Sequence, residues 1–394
     1  MNRFSLFVLF ILILFRLDGA EEEKRTKICL NMIVKDERPV IQRCLNSVKD
    51  IIDYWVIVDT GSTDGTQDAI KSCLKDIPGE LHESPWINFA HNRNEALSLA
   101  KDKGDYILLI DADEVLEGSV DPSSLVKSIY LSPITVPASF NMKSSRVLFA
   151  QSKIDWKWVG VIHEKLICSQ EIQAETLSTT LIRADYTDGH RSQDPQKYLR
   201  DAEALERALI TEPNNADYMY YLGQSYFNSE LYDKALSAYA RRANMQAWDQ
   251  HTFWSMYMVG MLQEIKNYPT ETVIDSFCKA AQFRPSRVEP LYRMASLFLK
   301  QGNPLLAYIL TKHALTMPRS SDSVYVENWL YDYGLEILFA DAARLHGYTE
   351  EYKASLARLL TRKHISLSIR EQVIKNLTDN RLLSTGLGGD YTRK

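Results

Sequence analysis

The sequence has few cysteines and no paired cysteine motif. Its five cysteines are spread between residues 29 and 278 without C-x-x-C spacing, which excludes a cysteine-rich zinc site and a disulfide scaffold. The chain also lacks a large excess of either charge, because its 46 lysines and arginines nearly balance its 51 aspartates and glutamates. We therefore expect no nucleic-acid partner. Sixteen glycines and 13 prolines exclude a collagen-like or low-complexity chain.

Long hydrophobic runs are scarce as well. Residues 4–15 form an apolar run of 12 residues, followed by Gly19-Ala20 and then by acidic residues. This run is shorter than the roughly 20 residues that cross a bilayer and matches the about 7 to 15 residues of a signal-peptide core. We predict a signal peptide or N-terminal anchor over residues 1–20, which would supply the only membrane contact. The expected location is the secretory pathway or cell envelope, or the cytoplasm if the start is assigned incorrectly.

Residues 27–192 alternate short apolar runs with amphipathic stretches. The runs at residues 28–34, 54–58 and 106–110 are continuously apolar or nearly so, as is typical of strands buried on both faces of a parallel sheet. Shorter strand-like pieces follow residue 133. We predict an α/β domain with a Rossmann-like mixed sheet flanked by helices, and we expect ligands beyond the carboxyl ends of its strands.

Residues 195–380 have the pattern of an all-α, tetratricopeptide-like helical repeat domain. Ala280 and Ala314 are 34 residues apart, which is the period of that repeat. Three units can be aligned, and the greater distance between the first two predicts an inserted loop near Tyr268-Pro269. A generic helical bundle with chance periodicity is the alternative. Residues 381–394 are predicted to be a flexible tail.

Two aspartates follow the third apolar run. Asp111 and Asp113 are two residues apart at a strand end, so their side chains point to the same side. Two such carboxylates can hold Mg²⁺ or Mn²⁺, with water and phosphate oxygens completing the coordination. An acidic surface turn is the alternative.

The segment 59–66 follows the second run and leads directly into a helix. Its carboxylates and hydroxyls can accept hydrogen bonds from a nucleobase or a ribose. A helix cap followed by a turn would use the same residue types.

A third cluster lies at residues 155–164. Trp156 and Trp158 could stack on sugar rings, although their spacing also fits two core residues on one face of a strand. We predict Glu164 as the catalytic base, with Asp155 as its rival and Glu114 as a further candidate. His163 is a candidate metal ligand.

Four ordered stretches, residues 31–37, 59–66, 89–97 and 111–114, resemble family-two glycosyltransferases of the GT-A fold. The resemblance covers residues 27–190 and extends to the subgroup in which tetratricopeptide repeats follow. It implies that Asp36, Glu37 and Asp59 contact the base and ribose of a nucleotide. It also implies that Arg93 approaches the diphosphate, and that Asp113 and Asp111 contact the metal and ribose. Further residues assigned to substrate binding are Asp64, Asn94, Trp156 and Trp158.

The resemblance implies a metal-dependent, inverting glycosyltransferase of the hexosyl type. We expect it to move one sugar from a nucleotide-diphosphate sugar, a UDP-sugar in particular, to a saccharide, peptide or protein that the repeats could hold. Mn²⁺ or Mg²⁺ is the expected cofactor. The sequence has no Q-x-x-R-W motif, which disfavours a processive membrane synthase. The alternative function is an inactive scaffold that binds proteins through its repeats.

Overall fold

The computed structural model describes residues 25–135, 144–184, 186–323, 325–362 and 365–379. The predicted signal peptide or anchor and the predicted tail lie outside the described residues. The chain divides into two compact units, which meet in sequence at Gln193 and Asp194. Within the described ranges, no helix combines the length and apolar character needed to cross a membrane.

The first unit is built on a nine-stranded mixed sheet, as predicted, with strand order β3-β2-β1-β4-β7-β6-β11-β5 and β10 beside β6. Strands β1 to β4 are parallel where they pair, and β7 runs antiparallel to β4. Strands β8 and β9 form a separate antiparallel pair. The strands are β1 (Ile28–Val34), β2 (Tyr54–Asp59), β3 (Gly79–Glu83), β4 (Tyr106–Leu109), β5 (Val115–Gly118), β6 (Ile129–Thr135), β7 (Ser144–Gln151), β8 (Lys157–Val159), β9 (Lys165–Ile167), β10 (Ala174–Thr176) and β11 (Thr180–Arg183).

Alternate residues of the central strands enter two different hydrophobic cores. Leu30, Ile57 and Leu108 belong to one cluster, whereas their neighbours Cys29 and Val56 belong to the other. Helices α1 (Ile41–Val48) and α2 (Thr66–Cys73) contribute to the first cluster, and α3 (Phe89–Ala100) contributes to the second. Burial on both faces explains why these strands are continuously apolar, and it leaves their ends as the place for polar groups.

The second unit is a series of helices in which each packs against the next. The helices are α4 (Lys197–Thr211), α5 (Ala216–Asn228), α6 (Tyr232–Ala243), α7 (Asp249–Ile265), α8 (Thr270–Phe283), α9 (Glu289–Lys300), α10 (Pro304–Leu315), α11 (Leu335–His346), α12 (Thr349–Thr361) and α13 (Leu367–Asp379). Small residues allow close packing within a pair: a Cβ at Gly223 would lie 2.9 Å from Tyr239, and one at Gly260 would lie 2.6 Å from Phe277. This is the predicted tetratricopeptide-like helical repeat.

The inserted loop predicted near Tyr268-Pro269 is wrong. The additional length between the first two aligned units is helix α7, and residues 266–269 are the short connection from α7 to α8. Apolar and aromatic residues lie on several faces of α7, including the buried Phe253, Tyr257 and Leu262. A one-sided periodic pattern is therefore weak in this helix.

Candidate active site

Three neighbouring strand ends carry the predicted polar residues to one edge of the sheet. Strand β1 lies between β2 and β4 and is parallel to both, with Val34 beside Asp59. Residues 35–37 follow β1, Asp59 ends β2, and residues 110–114 follow β4. Because parallel strands present their carboxyl ends at the same edge, these segments of the sequence form one site.

Asp59 has one carboxylate oxygen engaged and one oxygen without a partner. Its side chain is 0% exposed. Oδ1 accepts hydrogen bonds from the backbone N–H groups of Gly61 and Ser62, at 2.7 and 2.6 Å. Oδ2 is buried and has no hydrogen-bond partner in the described part of the chain. Since buried polar atoms are normally paired, Oδ2 is available to accept a hydrogen bond from an N–H or O–H group.

Asp36 and Asp64 join the two loops beside Asp59. The backbone N–H of Asp36 donates to Ser62 Oγ at 2.8 Å, and its Oδ1 accepts from the Thr63 N–H at 2.7 Å. Asp64 accepts from the backbone N–H groups of Arg38 and Thr66, both at 3.0 Å. In this structure both predicted binding residues shape the rim of the site through contacts with the protein backbone.

Asp111 is held by two arginines. Arg93 Nη2 donates to Oδ1 at 2.7 Å, and Arg146 Nη1 donates to Oδ2 at 2.8 Å. Burial acts to raise the pKa of Asp111, but the two guanidinium groups hold it well below the ordinary value. Arg93 also donates through Nε to Glu164 Oε1 at 2.6 Å, and Arg146 pairs with Glu114. Arg93 therefore links the β4 end to the segment that carries Glu164.

Two glutamates at this edge have raised pKa values. Burial raises the pKa of Glu114 to about 7, against the opposing effect of Arg146. Burial also raises the pKa of Glu37 to about 7, although Glu37 Oε2 accepts a hydrogen bond from the His190 backbone N–H at 3.2 Å. Perturbed acidic groups gathered at a strand edge are typical of a functional site.

A short segment, residues 186–190, lies against Asp113. Arg43 binds Asp188 through two hydrogen bonds of 2.8 and 2.9 Å, and its guanidinium lies 3.8 Å from the centre of the Tyr186 ring. A Cβ at Gly189 would be 2.5 Å from Asp113 Oδ2, so only glycine allows this approach. The segment brings backbone close to the carboxylate that the sequence predicts as a metal ligand.

Comparisons with known proteins bear on the first unit. Residues 29–159 match the family model described as Glycosyl transferase family 2. This region is a family-two glycosyltransferase domain. The match includes Asp36, Asp59, Arg93 and Asp111 and ends before Glu164.

Similar proteins include both glycosyltransferases and a repeat protein. A TPR repeat-containing protein of Synechococcus elongatus is 40% identical over 91 residues, which are 23% of this chain and 21% of that protein. The SPbeta prophage-derived glycosyltransferase SunS of Bacillus subtilis is 26% identical over 221 residues, 52% of this chain and 50% of SunS. An uncharacterized glycosyltransferase of Rickettsia felis is 37% identical over 90 residues, 23% of this chain and 30% of that protein. The chain spans half or less of the length of these relatives.

Solved structures similar to this chain include MamA and a TPR protein. MamA covers 43% of this chain and 88% of its own, with 13% identity and a TM-score of 0.35. A thermophilic TPR protein of Thermus thermophilus covers 46% of this chain and 91% of its own, with 17% identity and a TM-score of 0.32. TM-scores this low carry no argument, so the assignment of the second unit rests on its own helix packing.

The predicted metal ligands of the glycosyltransferase domain do not form a cluster. Among the described residues, no group of three or more His, Cys, Asp or Glu side chains is arranged to hold a metal. Asp111 has both oxygens on arginines, and His163 is exposed between β8 and β9. Asp113 stays a predicted metal ligand, because a hard cation needs only one or two protein carboxylates when a phosphate supplies further oxygens.

The two tryptophans have different positions. Trp156 is buried in a hydrophobic core and donates through Nε1 to the Gln151 carbonyl at 2.9 Å, so it is not a surface on which a sugar can stack. This corrects the prediction for Trp156. Asn94 exchanges two hydrogen bonds of 2.8 Å with the backbone of Trp158; its amide therefore positions β8 beside α3. Trp158 is partly exposed, and the Arg93 guanidinium lies 5.3 Å from the centre of its ring.

The two candidate bases, Glu164 and Asp155, have different surroundings in the structure. Glu164 is an ion-pair partner of Arg93 and only 11% exposed, and it thus belongs to the network at the strand edge. Asp155 is exposed and makes no side-chain hydrogen bond or ion pair to any described residue. Sequence reasoning missed Arg146, the second partner of Asp111. Its signal is one charged residue at the start of an apolar strand, Arg146-Val147-Leu148-Phe149.

Proposed function

We propose that this chain transfers a single sugar from a nucleotide-diphosphate sugar to a hydroxyl or amide group of a saccharide, peptide or protein. The family model and the glycosyltransferases among the relatives support a role in glycosyl transfer. The observation that carries the donor assignment is Asp59 Oδ2, a buried carboxylate oxygen without a partner among the described residues. The imide N–H of uracil is a donor of the required kind, so we propose a UDP-sugar.

The arginines supply positive charge beside the proposed diphosphate position. Arg93 and Arg146 lie at the end of β4 with Asp111 between them. Positive groups fixed before the reaction stabilise charge that develops on a leaving group. Mn²⁺ or Mg²⁺, if bound by Asp113 with diphosphate oxygens, would neutralise part of the same charge.

Glu164 is the proposed base. An acceptor hydroxyl oxygen attacks the anomeric carbon, the bond from that carbon to the diphosphate oxygen breaks, and Glu164 takes the hydroxyl proton. Arg93 orients the Glu164 carboxylate through the Nε–Oε1 contact of 2.6 Å. Attack opposite the leaving group would invert the anomeric centre, which is the stereochemistry we propose.

The test is release of nucleoside diphosphate from UDP-, GDP- and dTDP-sugars with Mn²⁺, because slow donor hydrolysis does not require the acceptor. Wild type, Asp113→Asn and the exposed control Asp68→Asn are compared. We expect release from one donor, lost in Asp113→Asn and kept in Asp68→Asn. If a folded wild-type chain neither releases nor binds any of the three nucleotides by calorimetry, the proposal fails and the inactive scaffold replaces it.

A further inference from the structure

The connection between α10 and the next helical turn is the longest one between described helices of the second unit. Residues 316–327 have no helix or strand assignment at any described position, whereas the other connections between α4 and α12 have two to five residues. Connections of about 12 residues without regular structure are usually functional or disordered. We name residues 318–323 and 325–328 the strap.

The strap crosses three helices, each the first of a successive pair. Tyr325 hydrogen-bonds to Gln224 of α5 and stacks on Trp254 of α7, with ring centres 4.7 Å apart. The Ser323 N–H donates to Gln250 of α7 at 3.0 Å. Glu327 accepts from the Tyr257 hydroxyl of α7 at 2.8 Å.

The contact with the connection from α8 to α9 and with the start of α9 is mainly ionic. Asp322 accepts hydrogen bonds from Arg284 and from Arg287, the latter at 3.2 Å. The Arg287 side chain is 0% exposed, and it also donates to the Tyr325 carbonyl at 2.8 Å and pairs with Glu289. A buried guanidinium requires such partners, and Asp322 adds a second carboxylate to the one that Glu289 supplies.

The charges on the two sides are complementary. Arg284, Arg287 and Arg293 lie on or beside α9. Glu289 pairs with Arg287, and Asp249 and Glu264 of α7 act on Arg284 and Arg293. The strap supplies Asp322 and Glu327. The strap binds through backbone N–H and C=O groups bonded to side chains of the second unit and through one aromatic ring stacked on Trp254, and the backbone of Tyr325 is left-handed, with a φ of 43°.

We propose that α5, α7 and α9 form a peptide-binding face, that the strap is its resident ligand, and that an acidic, tyrosine-bearing segment of a partner protein competes for it. The contacts define the pattern that the partner must present: an acidic residue, a tyrosine three residues later and a second acidic residue two beyond that, as in Asp322, Tyr325 and Glu327. The proposal does not depend on sugar transfer. A tethered segment has an effective concentration of the order of millimolar, so a free peptide binds well only after the strap has been weakened.

The experiment uses the full chain and a fluorescein-labelled synthetic peptide of residues 318–328. The strap is weakened by Asp322→Ala with Tyr325→Ala, and Ser321→Ala, whose side chain is exposed, is the matched control. We expect fluorescence anisotropy to show binding at least about tenfold tighter to the double variant than to wild type or the control. A peptide with the same two alanines should bind neither. Equal affinity for wild type and a folded double variant would overturn the proposal.

Hydrogen exchange of the wild-type chain provides a test that needs no variant. A displaceable strap opens without unfolding the helices. The amide protons of Ser323 and Glu327 should therefore exchange at least about a hundredfold faster than those within α7 and α9. Exchange of both sets at one rate would make the strap an inseparable part of the fold and would also overturn the proposal, whether or not the double variant folds.

Discussion

At the scale of single residues, the two carboxylate oxygens of Asp59 have different roles, one structural and one proposed to bind the ligand. Oδ1 closes the turn after β2 and Oδ2 has no partner in the described chain. Asp59→Asn keeps an acceptor for the turn but replaces the negative oxygen with a neutral amide. Because hydrogen bonds to charged groups contribute about 1.5–3 kcal/mol, we expect UDP to bind about 10- to 100-fold more weakly. Calorimetry measures this, with Asp68→Asn as control; an unchanged affinity would place the nucleotide elsewhere.

Glu164 allows a second prediction at this scale. If it accepts the acceptor proton, Glu164→Gln should lower kcat by about 10²- to 10⁴-fold, while the affinity for nucleotide stays close to that of wild type. Asp155→Asn should leave kcat unchanged, because its side chain is exposed and has no partner among the described residues. Steady-state turnover of the donor identified by the release assay distinguishes the two. A loss of rate in Asp155→Asn alone would transfer the role of base to Asp155.

The residues of this site differ in how far the sequence predicts them. Asp36, Asp59 and Asp111 stand out because each follows an apolar strand, and parallel pairing brings the three strand ends together. Arg146 could not be assigned, because it meets Asp111 only through the antiparallel pairing of β7 with β4. That pairing is set by tertiary structure. The spacing of Trp156 and Trp158 fits a sugar-stacking surface as well as a hydrophobic core. The burial of Trp156 in the structure assigns that residue to the core.

At the scale of elements, helix α11 carries a buried carboxylate without a hydrogen-bond partner among the described residues. Asp341 is 2% exposed, and neither oxygen has a hydrogen-bond partner in the described structure. Burial raises its pKa to about 7, against the attraction of Arg344. The other titratable groups near it are Tyr292 of α9 and Tyr352 of α12.

The sign of the pH dependence follows. An unfolded chain has the ordinary aspartate pKa of about 3.9, so between pH 4 and 7 the folded chain holds a proton that the unfolded chain has lost. The contribution to the free energy of unfolding is complete below about pH 4 and is lost as pH rises through 7. In Asp341→Asn, the free energy of unfolding should therefore fall by about 2–4 kcal/mol less than in wild type over this pH range. Urea unfolding at pH 4.5 and 7.5 measures it, with exposed Glu350→Gln as control; parallel curves for wild type and Asp341→Asn would contradict it.

Sequence periodicity predicts some helices of the second unit and not others. The repeat of small and large residues predicts α5 with α6 and α9 with α10, because Gly223 and Ala307 each lie where a neighbouring helix packs closely. Helix α7 was missed because aromatic residues lie on several of its faces, including Trp254 beneath the strap. A residue that packs against a distant segment adds an apolar position outside the 3.6-residue hydrophobic pattern of the helix. The sequence alone does not indicate that segment.

At the scale of the whole molecule, every candidate donor-binding residue lies between residues 36 and 190, within one unit that has its own cores. We expect residues 25–193, expressed alone, to unfold cooperatively and to bind UDP within about threefold of the full-chain affinity. Calorimetry of both proteins checks this. A fragment that folds and fails to bind UDP would show that the repeats contribute to the donor site.

The pair of arginines on Asp111 changes how mutational data on this motif are to be interpreted. Removing the carboxylate by Asp111→Ala leaves Arg93 and Arg146 facing each other without the anion that separates them, and it frees Glu164 from its fixed partner geometry. A collapsed charge balance therefore explains an inactive Asp111 variant as well as the loss of a metal ligand does. A scan that treats the two aspartates as equivalent would not distinguish these two explanations.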